Sequence, residues 1–214
     1  MTAQQQDRKW YAIKVFFNKV FQMEGTLLDM GLETYLATDK VQLEGKQHMA
    51  AARALASVPE NHRPDSRYIR TGPLIFERKP LIPSLIFVKA SPEEILAVDA
   101  RLQEQFRLTG HAMGFIYKSA DRESFATIPA DQMESFRLIT MKGAEGLEFF
   151  SKGTLLHFYE GDKVRVTEGP LKGVEGYIKR IRKNRRLLVC MEGIVAVASS
   201  YIPPSMLEKV KKEE

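Results

Sequence analysis

The sequence predicts two folded parts: an α+β domain with one sheet covered by helices, then a small β-barrel. Three observations carry that expectation. Strand-like and helix-like patterns follow one another in the order β-α-β-(insertion)-β-α-β-α up to Thr140. Four short strands with turn signals between them then fill Lys163–Ala198. Charge is also unevenly spread. The chain of 214 residues holds 32 Lys and Arg against 27 Asp and Glu, yet Phe158–Lys212 carries twelve basic and six acidic residues, while Met1–His157 carries twenty and nineteen. A basic C-terminal part suits a polyanion, and the near-neutral part suits structure or protein contact.

Lys9–Phe17 reads as a strand rich in β-branched and aromatic side chains, with Trp10, Ala12, Lys14 and Phe16 on one face. Asn18 is placed to cap a helix whose apolar positions Val20, Met23, Leu27 and Met30 recur at three- and four-residue spacing, and Gly31 would stop it. Leu32–Ala37 is a second strand. Gly45–Ser57 favours helix but sits in polar, Pro-punctuated surroundings, so residues 39–65 read as an insertion, partly mobile, at one end of the sheet. Leu81–Ala90 is a short buried strand entered through prolines. Ser91 and Glu94 then form a capping box with Pro92 at the first helical position. Ile95, Val98, Leu102 and Phe106 follow on one face of that helix. Met113–Tyr117 is a further strand, and Pro129–Thr140 an amphipathic helix through Met133 and Phe136.

Lys142–Gly153, with three glycines, reads as a linker, although Leu147, Phe149, Phe150, Leu155 and Leu156 would be costly to leave in water. The expected boundaries are a first domain over 8–142, a linker over 143–157 and a second domain over 158–210. The barrel strands are Lys163–Thr167, Gly176–Ile181, Leu187–Met191 and Ile194–Ala198, with turns at Glu168-Gly169-Pro170, Lys183-Asn184 and Glu192-Gly193.

Nothing in the sequence supports catalysis. His48, His62, His111 and His157 stand far apart with no second ligand at i+3 or i+4, so no metal is expected. Cys190, the single cysteine, excludes an internal disulfide, fits a reducing cytoplasm, and reads as a buried structural thiol. No phosphate-cradling, dinucleotide-binding, nucleophile-elbow or zinc-protease motif occurs, and no cofactor is expected. Glu93 and Glu94 are accounted for by a helix N-terminus. No apolar run approaches the ~18 residues of a membrane span. Met1–Lys9 has no apolar export core, so a cytoplasmic location is expected.

The densest pattern runs from Gly161 to Gly176. Gly161 and Asp162 turn into a strand with Val164 and Val166 on one side and Lys163, Arg165 and Thr167 on the other. Gly169-Pro170 makes a tight turn, and Gly173 and Gly176 take backbone positions closed to other residues. Just beyond, Lys179, Arg180, Arg182, Lys183, Arg185 and Arg186 crowd six cations around a hairpin turn. Phosphates or an acidic protein face would neutralise them. A solvated hairpin whose charge blocks edge pairing is the other reading.

The Gly161–Gly176 pattern resembles the KOW motif of NusG-type transcription factors and some ribosomal proteins. The N-terminal half resembles the NusG N-terminal domain: Lys9-Trp10-Tyr11 opens its first strand, Pro80–Val88 matches its P-L-F-P-x-Y-L-F-V element, Met113-Gly114-Phe115 its V-x-G-F, and Ile128-Pro129 its I-P before the last helix. The resemblance covers Lys9–Val210. It implies an antiparallel sheet flanked by helices, an SH3-like barrel, and a non-enzymatic, monomeric elongation and antitermination factor. Such a factor binds the RNA polymerase clamp through Trp10, Tyr11, Pro83 and Phe87. Nascent RNA or non-template DNA, and a ribosome or termination factor at the KOW domain, are the further partners it implies. Ile82 and Leu85 replace aromatic residues of the family pattern, and Leu96-Ala97-Val98 stand where a specialised paralogue carries H-T-T for the polymerase gate loop, so that contact is not carried over. The insertion Asp39–Asp65 and the divergent core point to a specialised paralogue, and by general likeness the chain is most similar to UpxY-type antiterminators of surface-polysaccharide operons. A KOW-containing RNA-binding or ribosome-associated protein, and an enzyme with an appended barrel, are the rival readings.

Overall fold

The computed structural model describes residues 7–57, 67–142, 146–151, 163–181, 184–191, 193–199 and 201–210. Its contacts divide the chain into two units, Met1–Ala126 and Thr127–Glu214. Both are mixed α/β with antiparallel sheets.

The first unit contains, in order, β1 (Lys9–Val15), α1 (Val20–Asp29), β2 (Glu33–Tyr35), β3 (Thr38–Gln42), α2 (Gly45–Ala56), β4 (Tyr68–Thr71), β5 (Leu74–Pro80), β6 (Leu85–Ala90), α3 (Pro92–Thr109) and β7 (Gly114–Ile116). Its main sheet runs β2-β6-β1-β7. The central pair β1–β6 is in register from Lys9 opposite Ala90 to Lys14 opposite Leu85. Tyr11, Ile13, Val15, Ile86, Val88 and Ala90 form one face and share a core with Val20, Met23 and Leu27 of α1 and Ile95, Val98 and Leu102 of α3. Trp10, Ala12, Leu85 and Phe87, which alternate with them, are buried as well. Burial on both faces is why these strands read as continuous apolar runs rather than as an alternating pattern.

Helix α3 starts as its sequence dictates. The Ser91 hydroxyl accepts the Glu94 N–H, the Glu94 carboxylate accepts the Ser91 N–H, and Pro92 opens the helix. It ends at Gly110 in the left-handed conformation. Phe106, expected on the buried face, is exposed instead. The 18-residue helix is ~27 Å long, whereas the six-residue β6 spans ~20 Å, so its last turns outrun the sheet. Helix α1 also departs from expectation. Lys19, not Asn18, holds the N-cap position, and no side chain caps the helix.

The described part of the insertion, 39–57, belongs to a folded module that includes strands beyond residue 65; residues 58–65 of the expected insertion lie outside the described residues. Strands β3-β5-β4 make a second sheet, and α2 covers one side of it through Leu43, Ala51 and Ile75, with Ala52, Leu55 and Tyr68 packed around them. So small a core needs anchoring, and α1 supplies it. The Arg78 guanidinium donates to both oxygens of Glu24 at 2.7 and 3.0 Å, and Arg67 and Arg78 each lie 5.5 Å from the Phe21 ring centre. Glu24 is only 5% exposed.

The second unit contains β8 (Thr127–Ile128), α4 (Ala130–Lys142), β9 (Glu148–Ser151), β10 (Lys163–Val166), β11 (Glu175–Ile181), β12 (Asn184–Met191), β13 (Val195–Ala198) and β14 (Leu207–Lys209). The sheet order is β14-β10-β11-β12-β13-β9. Among the described residues no pairing joins β14 to β9, so the expected barrel appears here as an open six-stranded sheet. Residues 148–151, expected within a linker, instead pair with β13, from Ser151 opposite Val195 to Glu148 opposite Ala198. Apolar Phe149 and Phe150 supply the physical reason, since Phe150 packs on Leu188, Cys190, Ala196 and Ala198. Helix α4, assigned by the sequence to the first domain, is grouped here with the second unit. The Ser135 hydroxyl accepts the Glu175 N–H at 3.1 Å, and Asp131 lies 3.6 Å from Lys163.

The Glu24–Arg78 pair gives a test of the module's anchoring. Arg78→Ala takes the two-pronged guanidinium contact from a buried carboxylate and should cost up to about 3–5 kcal/mol in urea unfolding, whereas the paired change Glu24→Met with Arg78→Met should recover most of that loss. A cost below about 1 kcal/mol for the single change would show the pair to be solvated.

Candidate interaction surfaces

The four residues carried over for polymerase contact occupy different environments. Trp10 is 6% exposed, Tyr11 4% and Phe87 1%. Tyr11 lies in the core shared with α1 and α3, and its hydroxyl is pushed above its usual range by burial and then by Asp7. Phe87 stacks obliquely on Tyr35, ring centres 6.4 Å apart. Pro83 alone of the four is exposed.

A second set of aromatic side chains reaches the surface. Beyond Val15, the chain reverses between Phe16 and Lys19, whose N–H donates to the Phe16 carbonyl at 3.2 Å. The two central residues, Phe17 and Asn18, have φ of 56° and 54°. That is the mirror-image turn normally built from Asn-Gly. A phenylalanine held there is strained by roughly 1–2 kcal/mol, and its ring is 69% exposed. Phe16 lies 6.2 Å from Phe17 and 5.8 Å from Phe115; Phe115 lies 5.6 Å from Tyr117. Phe115 is 47% exposed. The Phe16 N–H donates to the Met113 carbonyl at 2.8 Å, and the Tyr117 N–H to the Ala12 carbonyl at 3.0 Å, so hydrogen bonds hold the two backbones that carry these rings side by side. Lys14, at the end of β1, donates to the Ser84 hydroxyl at 2.7 Å, next to Pro83. The sequence signal for this group was Phe16-Phe17 after a strand, followed by an Asn without a helix cap to make.

In the second unit, Val164 and Val166 point inward and are buried, as their spacing predicts. Gly169 and Gly173 have φ of 79° and 91°, and a Cβ on Gly176 would stand 2.4 Å from the Leu188 carbonyl oxygen. The glycines therefore serve geometry. Gly161 and Asp162 lie outside the described residues. The outward side of β10 is an ion network: Lys163 lies 2.9 Å from Glu175, Arg165 donates to Glu175 at 2.8 Å, and Glu208 lies 3.6 Å from Arg165. The hydrogen bond from Lys163 is the largest cause holding the Glu175 carboxyl below its usual range; burial pushes it up next, and the hydrogen bond from Arg165 and the two positive charges lower it further.

Strands β11 and β12 split the cations between two faces, because Lys179 sits opposite Arg186 and Arg180 opposite Arg185. Arg186 pairs with Glu148 at 3.2 Å and therefore helps bind β9. Arg180 and Arg185 share the other face, where two like charges face each other across the ladder. Arg182 and Lys183 lie outside the described residues.

Cys190 is buried, and burial pushes its thiol up to about 12, which leaves it protonated and unreactive at neutral pH. Among the described residues, no group of three or more His, Cys, Asp or Glu could hold a metal ion, and no helix is long and apolar enough to cross a membrane.

No protein-family model and no curated protein matches the chain. Among solved structures, one described as "Domain interaction in Thermotoga maritima NusG" is similar, with 16% identity and a TM-score of 0.39, covering 96% of this chain and 99% of that one. A likeness of this degree bears on neither activity nor partners.

The Glu175 network makes a pH prediction. A carboxylate whose folded value is depressed contributes stability above its unfolded value, and that contribution disappears as pH falls through the folded value. The second unit should therefore lose stability below the usual glutamate value of 4.5. Glu175→Gln should be less stable near neutrality and flatter between neutrality and acid. An identical pH profile in the variant would show that the network contributes nothing.

Proposed function

We propose that this chain is a NusG-like transcription elongation factor that binds RNA polymerase and suppresses pausing or termination. One observation carries the reading: a contiguous group of four aromatic rings at one end of the main sheet, with Phe17 and Phe115 exposed and Phe16 and Tyr117 half-buried beside them. Aromatic anchors held by backbone on a sheet are the composition of a protein-contact hot spot. Phe115 also lies within Met113-Gly114-Phe115, one of the motifs that resemble the family. Strain retained at an exposed residue points to use rather than to folding.

In this reading Pro83 flanks the contact, and Trp10, Tyr11 and Phe87 shape the sheet that presents it. The partner surface is the polymerase clamp. The factor makes and breaks no bond. It binds the elongation-competent clamp better than the paused one and shifts the population toward elongation; a tenfold shift needs ~1.4 kcal/mol of differential affinity. The second unit is the KOW domain of an SH3-like barrel, and the face with Arg180 and Arg185 meets nascent RNA, a ribosomal protein or a termination factor. Specialisation for surface-polysaccharide operons in the manner of UpxY-type factors, action in the cytoplasm and a monomeric state complete the proposal. The Arg180–Arg185 face supports a second reading, a KOW-containing RNA-binding or ribosome-associated protein, in which binding of RNA is the main activity.

Phe17→Gly separates folding from contact. Relief of the left-handed strain should leave thermal stability unchanged or raise it by about 1 kcal/mol, while affinity for RNA polymerase in a pull-down falls about tenfold, a loss of ~1.4 kcal/mol. Phe115→Ala should act in the same direction on binding. Unchanged polymerase binding in both folded variants, or retention of ribosomes or RNA in place of polymerase, would favour the second reading.

A further inference from the structure

A groove of about 360 Å³ opens between α1 and α3. Met23, Leu27, Val98, Leu102 and Met113 form its buried floor, and Met30 and Leu108 its apolar rim. At ~30 Å³ per water-sized group it has room for about a dozen such groups, which places it at the small end of ligand sites.

The polar groups around it divide into engaged and free. Thr26 donates its hydroxyl to the Gln22 carbonyl at 3.1 Å, Thr109 to the Gln105 carbonyl at 2.8 Å, and Glu104 is held by Arg107 at 2.7 Å. The Gln22 side chain lines the groove from α1 and is exposed. Two further groups stand on α3, four residues apart. The side-chain oxygen of Gln105 is buried with no hydrogen-bond partner, a state that costs roughly 1–3 kcal/mol if nothing fills it. One turn away Arg101 lines the same groove and is exposed; among the described residues it has no ion pair. A buried acceptor awaiting a donor, a cation one turn away and a thioether-rich apolar floor specify complementary chemistry in the ligand.

We infer that this groove binds a small amphipathic carboxylic acid bearing an N–H or O–H donor. The carboxylate meets Arg101, the donor meets the Gln105 side-chain oxygen, and the apolar body lies on Met23, Leu102 and Met113. The volume falls within the range of small-molecule sites. The inference is independent of the polymerase reading, because binding is read on the free chain.

N-Acetylphenylalanine offers all three features and serves as the probe, with its carboxamide as the uncharged control. Methyl signals of Met23, Met30 and Met113 should shift saturably in carbon-13 NMR at probe concentrations up to about 10 mM, the range of a weak fragment, while those of Met133 and Met191 stay fixed. The carboxamide should bind at least fivefold more weakly, as should the acid to Arg101→Gln, a surface change that leaves the floor intact. Gln105→Leu should weaken both probes. Absence of saturable shifts, equal shifts at Met133 and Met191, or affinity unchanged by Arg101→Gln would overturn the inference, and a site reserved for a peptide would give the first of these.

Discussion

The antiparallel pairing of β1 with β6 is the constraint on which the first unit depends. Its register fixes which side chains face α1 and α3 and which face the other way, and both sets are buried. A slip of one residue would exchange Tyr11, Ile13 and Val15 for Trp10, Ala12 and Lys14, and would place the Lys14 ammonium in the core. The same pairing fixes where β1 ends. After Val15 no partner continues the ladder with β6, and the chain must turn at once toward α1. The tight reversal over Phe16–Lys19 is the result, and it brings the aromatic rings of the turn beside those of β7.

The second unit is organised differently. Its valine and leucine alternation supplies a sheet, but polar contacts tie its parts together. Glu175 gathers Lys163 and Arg165 on neighbouring strands, Ser135 receives the Glu175 N–H, and Glu148 brings Arg186 to β9. Several of the cations that make this part basic are therefore committed within the fold. Net charge overstates what a polyanion would meet, and the Arg180–Arg185 face is the portion of the described hairpin left for one. Arg180 has contacts of its own within the fold, so a partner there would share rather than simply occupy it.

Legibility followed the range of the interactions involved. The capping box at Ser91 and Glu94 is local, and the structure has it where the sequence places it. The glycines of the Gly161–Gly176 pattern also carry their reason locally, in the turn and in the approach of Leu188. The sequence shows the helix-favouring stretch Gly45–Ser57 but not the sheet beside it, because β3 and β5, Thr38–Gln42 and Leu74–Pro80, mix charged and apolar residues. That pattern makes sense only once Arg78 is seen to pair with Glu24, 54 positions away. Asn18 was misread because its type favours both a helix cap and a left-handed turn, and the end of β1 decides between them. Trp10, Tyr11 and Phe87 show a further limit. A motif that marks a fold is carried mainly by core residues, so resemblance located the sheet rather than the exposed surface. Phe17 and Phe115 became candidates only when exposure and ring geometry were known.

The central claim is that the aromatic end of the main sheet touches RNA polymerase. A photoreactive benzoylphenylalanine placed at position 17, and in a separate chain at position 49, tests it most directly, because Phe17 belongs to the proposed contact and exposed Met49 of α2 to none. Irradiation with transcribing polymerase should crosslink the chain from position 17 to the large clamp-bearing subunit, and position 49 should give little product. Crosslinks from position 17 to RNA or ribosomal protein alone, or equal polymerase crosslinking from both positions, would contradict the account.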